Sequence, residues 1–215
     1  MTSIADNLQA IRARLGPVIL LAVSKGQSAD AMRQAAAAGQ KAFGENYVQE
    51  GLEKMDTLPG LEWHLIGPLQ SNKTRAVAER FDWVQTVASE KIARRLSAQR
   101  PDLLAPLNVL IQVNVSGEST KSGVAPGEVK SLAKSMKDLK GIRLRGLMAI
   151  PEPGADRSRY RSVKTLYDSL KDEYGFDTLS LGMSDDMDVA IAEGSTMVRI
   201  GTAIFGARKT HRSAA

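Results

Sequence analysis

The chain has 215 residues, of which 43% are hydrophobic and 25% are charged, as is ordinary for a soluble globular protein. It contains no cysteine, which excludes disulfide bonds and thiolate chemistry. The formal net charge of +5 is spread along the chain and only 5% of residues are aromatic, so we expect a mildly basic surface and no nucleic-acid partner. No apolar run is long enough to span a bilayer and no signal-peptide pattern is visible, so we expect no membrane partner and a cytoplasmic location.

The first two predicted elements are a helix and a strand. Ile4, Leu8, Ile11 and Leu15 have helical spacing, and Gly16-Pro17 ends this leading helix within residues 1–16. The apolar run 18–25 that follows is typical of a strand buried on both faces, and it ends abruptly in a lysine.

Lys25 therefore has two interpretations. A lysine that ends a strand can simply extend its amine to solvent. At the mouth of a core, by contrast, partial burial disfavours the ammonium form and leaves more nucleophilic amine available for a Schiff base. The segment alone does not decide between them.

Strand-like and helix-like runs alternate along the rest of the chain. Predicted strands cover Ala42-Phe43, Glu62–Ile66, Trp83–Val87, Leu107–Val113, Ile142–Met148, Thr178–Leu181 and Met197–Ile200. Predicted helices run from a cap at Ser28 to Gly39, from about Glu45, from Gln70 to Arg80, from Ser89, and from Ser184 to Glu193.

Eight strand–helix units without a composition break predict a single α/β domain, a (β/α)8 TIM barrel over residues 1–215. A doubly wound open sheet is the structural alternative, because strands of three or four residues are the hardest to predict. Residues 207–215 form a short basic tail that contains Arg208, Lys209 and Arg212.

The segments after the seventh and eighth strands indicate an anion site. A barrel commonly binds phosphate on these two loops. Ser184 is predicted to cap a helix and present its hydroxyl, while Gly201 permits close backbone approach and Thr202 adds an amide and a hydroxyl. Serine caps and glycine turns are also common structural features, so each segment alone is weak evidence.

Arg199 lies between Val198 and Ile200 in an apolar strand, where a guanidinium is costly unless it is paired. It either forms a structural salt bridge or donates to a ligand nitrogen or oxygen. A carbonyl-reactive lysine, a phosphate cradle and a buried donor together describe a pocket for pyridoxal phosphate.

Longer motifs support the same cofactor. They are Ala22–Lys25, Phe43–Tyr47, Trp63–Lys73, Lys121–Gly123, Leu181–Met187 and Val198–Gly206. From about residue 18 to Arg208 the chain closely resembles the pyridoxal phosphate homeostasis proteins, also called the proline synthetase co-transcribed family. The family fold is a single barrel similar to the amino-terminal domain of alanine racemase.

The resemblance implies a role for each matching residue. Lys25 would hold pyridoxal 5'-phosphate as a Schiff base, and Ser184 with Gly201-Thr202 would hold its phosphate. Arg199 would face the pyridine nitrogen, and Asn46 would approach the cofactor from the side. No catalytic residue is assigned.

The predicted function is to bind the cofactor and regulate its intracellular level, without efficient amino-acid turnover. An arginine keeps the ring nitrogen unprotonated and so weakens carbanion stabilisation. Racemases of this fold draw a second base from another domain, which this chain has no residues to build. A one-domain amino-acid racemase and a cofactor-free Schiff-base aldolase remain the alternatives. We expect a monomer, with enzymes that need the cofactor as candidate protein partners.

Several motif residues have ordinary structural interpretations. His64 is expected to be a core histidine rather than a base, and two histidines give no metal-site spacing. Asp185, Asp186 and Asp188 are expected in the first turns of a helix, where acids complement the helix dipole. Lys73 and Lys121 are expected to be solvated, although either could relay cofactor, and Asn72 is expected to cap a turn.

Overall fold

The structure of the protein is a computed structural model that describes residues 2–117 and 122–206. The expectations for Lys121 and for the basic tail 207–215 fall outside the described residues.

Eight parallel strands close into a barrel in chain order, and the last strand pairs with the first. The strands are β1 (Ile19–Val23), β2 (Ala42–Glu45), β3 (Glu62–Leu65), β4 (Trp83–Val87), β5 (Leu107–Val113), β6 (Ile142–Ala149), β7 (Thr178–Ser180) and β8 (Met197–Ile200). The register of β1 and β8 sets Leu21 opposite Arg199. The predicted (β/α)8 barrel is thus confirmed, and the open sheet is wrong.

Helices follow the strands around the outside of the barrel. They are α1 (Ile4–Leu15), α2 (Ala29–Ala37), α3 (Val48–Thr57), α4 (Thr74–Arg80), α5 (Glu90–Gln99), α6 (Val129–Met136), α7 (Arg157–Tyr174), α8 (Met187–Ala192) and α9 (Thr202–Phe205). Ser3, Ser28 and Ser89 each accept a hydrogen bond from a backbone N–H of the first turn, as helix caps do. None of the described helices combines the length and the apolar character needed to cross a bilayer.

Several predicted boundaries differ from the structure, among them those at Lys25, Glu45 and Ser184. The strand of the 18–25 run ends at Val23, which leaves Lys25 in a turn. Glu45 belongs to β2 rather than to a helix, because its buried carboxylate bonds with Ser24 and Lys54 at the strand end.

Ser184 does not cap α8, because the segment 184–186 forms a turn and α8 begins only at Met187. The carboxylate of Asp186 accepts the backbone N–H of Met183 and thereby fixes this turn. The turn leaves Ser184 half-buried at the barrel mouth.

The barrel interior is filled by small apolar clusters and by buried polar side chains. The alternate residues of each strand face the helices and form the main core, which includes Phe43, Leu65 and Val109. The inward residues are separate from that core and are Leu21, Ala42 and Met197 in one cluster, Trp83, Leu110 and Met148 in another, and the polar His64, Gln85, Ser180 and Arg199. The interior of this barrel is therefore packed, and its polar groups must find partners within it.

Candidate cofactor site

A cavity of about 240 Å³ opens at the carboxyl ends of the barrel strands. The six residues predicted from the sequence all line it: Lys25, Asn46, Ser184, Arg199, Gly201 and Thr202. They come from the segments after β1, β2 and β7, from β8 itself, and from the start of α9. The fold thus brings these residues together from both ends of the chain, while their roles toward a ligand remain a prediction.

Lys25 lies two residues beyond β1, half-buried in the turn that leads to α2. The backbone N–H of Ser24 donates to Gly44 of β2 at 3.0 Å, so the chain remains fixed to the barrel up to the residue before Lys25. The Lys25 side chain borders the cavity rather than extending along the outer surface.

Arg199 is almost completely buried in β8, at 3% exposure, and also borders the cavity. Its guanidinium donates to the carbonyl and hydroxyl oxygens of Ser180 at 2.8 and 2.7 Å, and to the carbonyl of Ala149 at 2.9 Å. Within the described ranges it forms no ion pair, so the structural salt bridge considered above is wrong. Burial lowers the pKa of Arg199 to about 10, which still leaves it protonated at neutral pH.

A column of hydrogen bonds extends from Arg199 through the barrel. The Ser180 hydroxyl accepts from Arg199 and donates to the Gln85 side-chain oxygen at 2.7 Å. This orients the Gln85 amide so that its nitrogen lies 2.9 Å from Nδ1 of His64. Nδ1 must then accept, and Nε2 of His64 donates to Glu62 at 2.8 Å. The column therefore fixes His64 as a neutral core histidine, and burial lowers its pKa accordingly.

Ser184, Gly201 and Thr202, which are predicted to hold a phosphate, line the part of the cavity that we call the anion side. Within the described residues, neither the Ser184 hydroxyl nor the Thr202 hydroxyl forms a hydrogen bond, and Thr202 is exposed. Thr202 opens the short helix α9, so the first N–H groups there have no partner within the helix. A Cβ on Gly201 would approach the Val23 carbonyl oxygen to 3.1 Å, so only glycine allows this closeness without displacement.

Sequence reasoning missed the apolar walls of the cavity. Ile66, Ile150 and Met183 line it, and the latter two are 40% and 39% exposed. Exposed large apolar side chains around a polar cavity suit the faces of a flat ring. Position in the chain could have indicated two of these residues, because Ile66 and Ile150 each directly follow a barrel strand.

A second cavity of about 310 Å³ adjoins the first and shares Asn46, Ile66 and Ile150 with it. Its other lining residues are Gly67, Pro68, Thr86, Gln112, Val113, Asn114, Ser122, Pro151 and Pro153. None of these side chains carries a charge, whereas the first cavity has Lys25, Arg199 and Asp185. An anionic group is therefore better matched by the first cavity.

The remaining sequence candidates lie outside the cavity or have structural roles. Lys73 is exposed at the end of a single 3-10 turn and does not line the site. Only Asp188 lies in the first turn of α8, where it pairs with Arg14, whereas Asp186 accepts from the hydroxyl of Tyr160. No group of three or more potential metal ligands occurs in the part of the chain that the structure describes.

Sequence comparisons give one matching family and several similar named proteins. The family described as alanine racemase, N-terminal domain, matches residues 1–209. A protein of Pseudomonas aeruginosa named pyridoxal phosphate homeostasis protein is 53% identical, over 97% of this chain and 97% of that protein. The protein of the same name from Escherichia coli K12 is 52% identical, over 97% of this chain and 95% of that protein.

Structural comparisons give the same relationship. PipY of Synechococcus elongatus PCC7942, solved without pyridoxal phosphate, has a TM-score of 0.89 and 37% identity, over 95% of this chain and 100% of that one. PipY with pyridoxal phosphate bound has a TM-score of 0.87 at the same identity and coverage. The alanine racemase of Corynebacterium glutamicum has a TM-score of 0.78 at 18% identity, over 98% of this chain and 62% of that one, and indicates the shared fold alone.

Proposed function

Because this chain belongs to the family of pyridoxal phosphate homeostasis proteins, we propose that it binds pyridoxal 5'-phosphate in the cavity at the barrel mouth and regulates its intracellular level. The observation that carries the proposal is that Lys25 and the buried guanidinium of Arg199 border one cavity, together with an exposed anion side. A relative of 37% identity whose structure has the cofactor bound supports it.

The residues present fit this cofactor. Lys25 would supply the amine that holds the cofactor aldehyde as a Schiff base, with release of one water. Ser184, Gly201 and Thr202 offer hydroxyl and backbone donors for the phosphate, and Asn46, which also lines the cavity, would approach the cofactor from the side. Arg199, which has no carboxylate partner within the described residues, would donate to the ring nitrogen.

We further propose that the protein does not turn over amino acids efficiently. When bound, the cofactor supplies an electron sink, but a guanidinium beside the ring nitrogen keeps that nitrogen unprotonated and weakens the sink. A racemase also needs a second base. No tyrosine that could act as one lines the cavity within the described residues, and Tyr47, beside Asn46, is 67% exposed. Deuterium uptake at Cα from D2O, followed across amino acids, tests this, and sustained exchange at enzymatic rates would establish a racemase instead.

Absorption spectra before and after borohydride, followed by peptide mapping, test the binding proposal. We expect a visible band from a Schiff base, which borohydride fixes onto Lys25. Lys25→Ala should lose the adduct, whereas Lys73→Ala should retain it because Lys73 does not line the cavity. An adduct that persists in Lys25→Ala contradicts the assignment of Lys25, and a colourless protein that traps a keto substrate would indicate an aldolase.

The wider functional statements rest on the same proposal. A monomeric, cytoplasmic protein that passes cofactor to enzymes needing it is the arrangement we propose. Light scattering of the purified protein tests the monomer, and transfer of cofactor to an apo-enzyme across a dialysis membrane tests whether delivery requires contact.

A further inference from the structure

A buried cluster of charged side chains lies behind Lys25 and is not part of the cavity. It consists of Glu45 at the end of β2 and of Glu50 and Lys54 one turn apart on α3. Glu45 is fully buried and Lys54 is 8% exposed. Burying charges is costly unless each is well paired, so such a cluster needs a physical reason.

Lys54 uses its whole donor capacity within this cluster. Its ammonium donates to Glu45 at 2.8 Å, to Glu50 at 2.7 Å and to the carbonyl oxygen of Ser24 at 2.7 Å. A lysine ammonium has three donors, so none is left over. The position of the Lys54 ammonium is thereby fixed by two carboxylates and one backbone carbonyl.

The backbone atoms that the cluster holds are those that flank Lys25. The Ser24 carbonyl belongs to the peptide unit before Lys25, and it accepts from Lys54. The Gly26 N–H belongs to the peptide unit after Lys25, and it donates to Glu50 at 2.6 Å. The Ser24 hydroxyl adds a third bond by donating to Glu45 at 2.6 Å. Both peptide planes that meet at the Cα of Lys25 are therefore held by side chains.

We propose that Lys54, with Glu45 and Glu50, is a positioning group that fixes the backbone of Lys25 so that its amine is directed at the cofactor aldehyde. The inference rests on the proposed function, since it assigns a role toward the lysine that holds the cofactor. Holding a reacting group in place lowers the entropic cost of the reaction, and small misplacements are costly. None of the three cluster side chains lines the cavity.

The test is the rate at which added pyridoxal phosphate forms the borohydride-fixable adduct at Lys25. Lys54→Met should form it about tenfold more slowly. Lys54→Arg, which keeps a charged donor, should restore part of the rate. The matched control is Arg94→Met, which removes an exposed pair with Glu90 one turn away on α5 and should leave the rate unchanged.

A double-mutant comparison separates positioning from a general loss of stability. Noncovalent retention of pyridoxal phosphate in Lys25→Ala should be the same with and without Lys54→Met, because the cluster acts only through Lys25. The proposal is overturned if a folded Lys54→Met protein forms the adduct at the wild-type rate. It is also overturned if Lys54→Met weakens noncovalent retention in the Lys25→Ala background as much as it slows adduct formation when Lys25 is present.

Glu50→Leu is the second variant in case Lys54→Met does not fold. Glu50 is partly exposed, and its loss removes the bond to Gly26 while Lys54 keeps its pair with Glu45. We expect adduct formation about threefold slower, and an unchanged rate contradicts the proposal. Absence of any adduct at Lys25 in the unmodified protein would instead refute the proposed function, so the two failures are distinguishable.

Discussion

Arg199 donates twice to Ser180, once to its carbonyl oxygen and once to its hydroxyl, at 2.8 and 2.7 Å. A buried arginine is thus held by neutral oxygens of a neighbouring strand rather than by a carboxylate. Its positive charge is not cancelled by an ion pair within the described residues, and the side chain still borders the cavity. The arrangement keeps a full charge available for an electron-rich ligand atom.

Replacing Arg199 should therefore affect cofactor binding directly. Arg199→Met is expected to weaken retention of pyridoxal phosphate by at least about tenfold, since a hydrogen bond to a charged group contributes about 1.5–3 kcal/mol. Equilibrium dialysis against the cofactor measures the change. Arg14→Met, which removes only the exposed pair with Asp188, is the control and should bind normally. Normal binding by Arg199→Met would contradict the assigned contact.

Ser180→Ala tests the hydrogen-bond column behind Arg199. The substitution removes the donor to Gln85 and one acceptor of Arg199, and both partners are buried. Leaving buried polar atoms unpaired should lower the free energy of unfolding by about 1–3 kcal/mol. Urea denaturation measures this loss. Ser162→Ala on the exposed face of α7 is a comparison that should be close to neutral.

Gly201→Ala tests the close approach at the anion side. The added Cβ would lie 3.1 Å from the Val23 carbonyl oxygen and 3.3 Å from its Cβ, so this segment or β1 must shift. We expect cofactor affinity to fall about tenfold, because donors must be placed accurately to bind a phosphate. Gly127→Ala is the matched control, since a Cβ there meets nothing within 4 Å. Equal affinities for the two variants would show that the approach is unimportant.

His64 should make stability depend on pH. Burial lowers the pKa of His64 below its ordinary value of 6.5, and the bond with Glu62 opposes this only in part. As pH falls below about 6.5 the unfolded chain binds the proton first, so the free energy of unfolding decreases until the folded pKa is passed. Well above pH 6.5 the imidazole is neutral in both the folded and the unfolded chain, so the contribution of His64 to the free energy of unfolding is constant there.

Urea denaturation at pH 7.5 and pH 5.5 measures the effect. The unmodified protein should lose up to about 1.4 kcal/mol more over this interval than His64→Gln, which has no imidazole to titrate. The hydrogen bond from His64 also lowers the pKa of Glu62, but that contribution falls below the ordinary value of 4.5 and outside the interval. Parallel losses in the two proteins would contradict a neutral buried His64.

The sequence was most informative where periodicity was strong. The strand Leu107–Val113 was predicted with both of its ends, and the caps Ser28 and Ser89 were correct because a serine before a helix has a local chemical reason. Boundaries failed where a distant contact decided them. Glu45 looks like the start of a helix, yet its partners are Ser24 and Lys54, which no local pattern reveals.

The residues that line the cavity could be predicted where barrel geometry alone brings them together. Ser184, Gly201 and Thr202 follow strands that a barrel places side by side, and family resemblance added Asn46. The hydrogen-bond column through Ser180 and Gln85 was missed. Which side chains of a strand point into a closed barrel depends on how the strands pair, and the sequence alone does not give that register. A glutamine inside the strand Trp83–Val87 was the visible signal, since a buried polar residue must find a partner.

The pairing of β1 with β8 has a consequence for the order in which the protein acquires its capacity to bind. Lys25 is made early in synthesis and Arg199 near the end, and they share one cavity only because Leu21 and Arg199 sit in register across the closing seam. A nascent chain from which β8 (Met197–Ile200) has not yet emerged presents the amine of Lys25 but not the guanidinium of Arg199. Retention of pyridoxal phosphate thus indicates that the barrel has closed between β1 and β8.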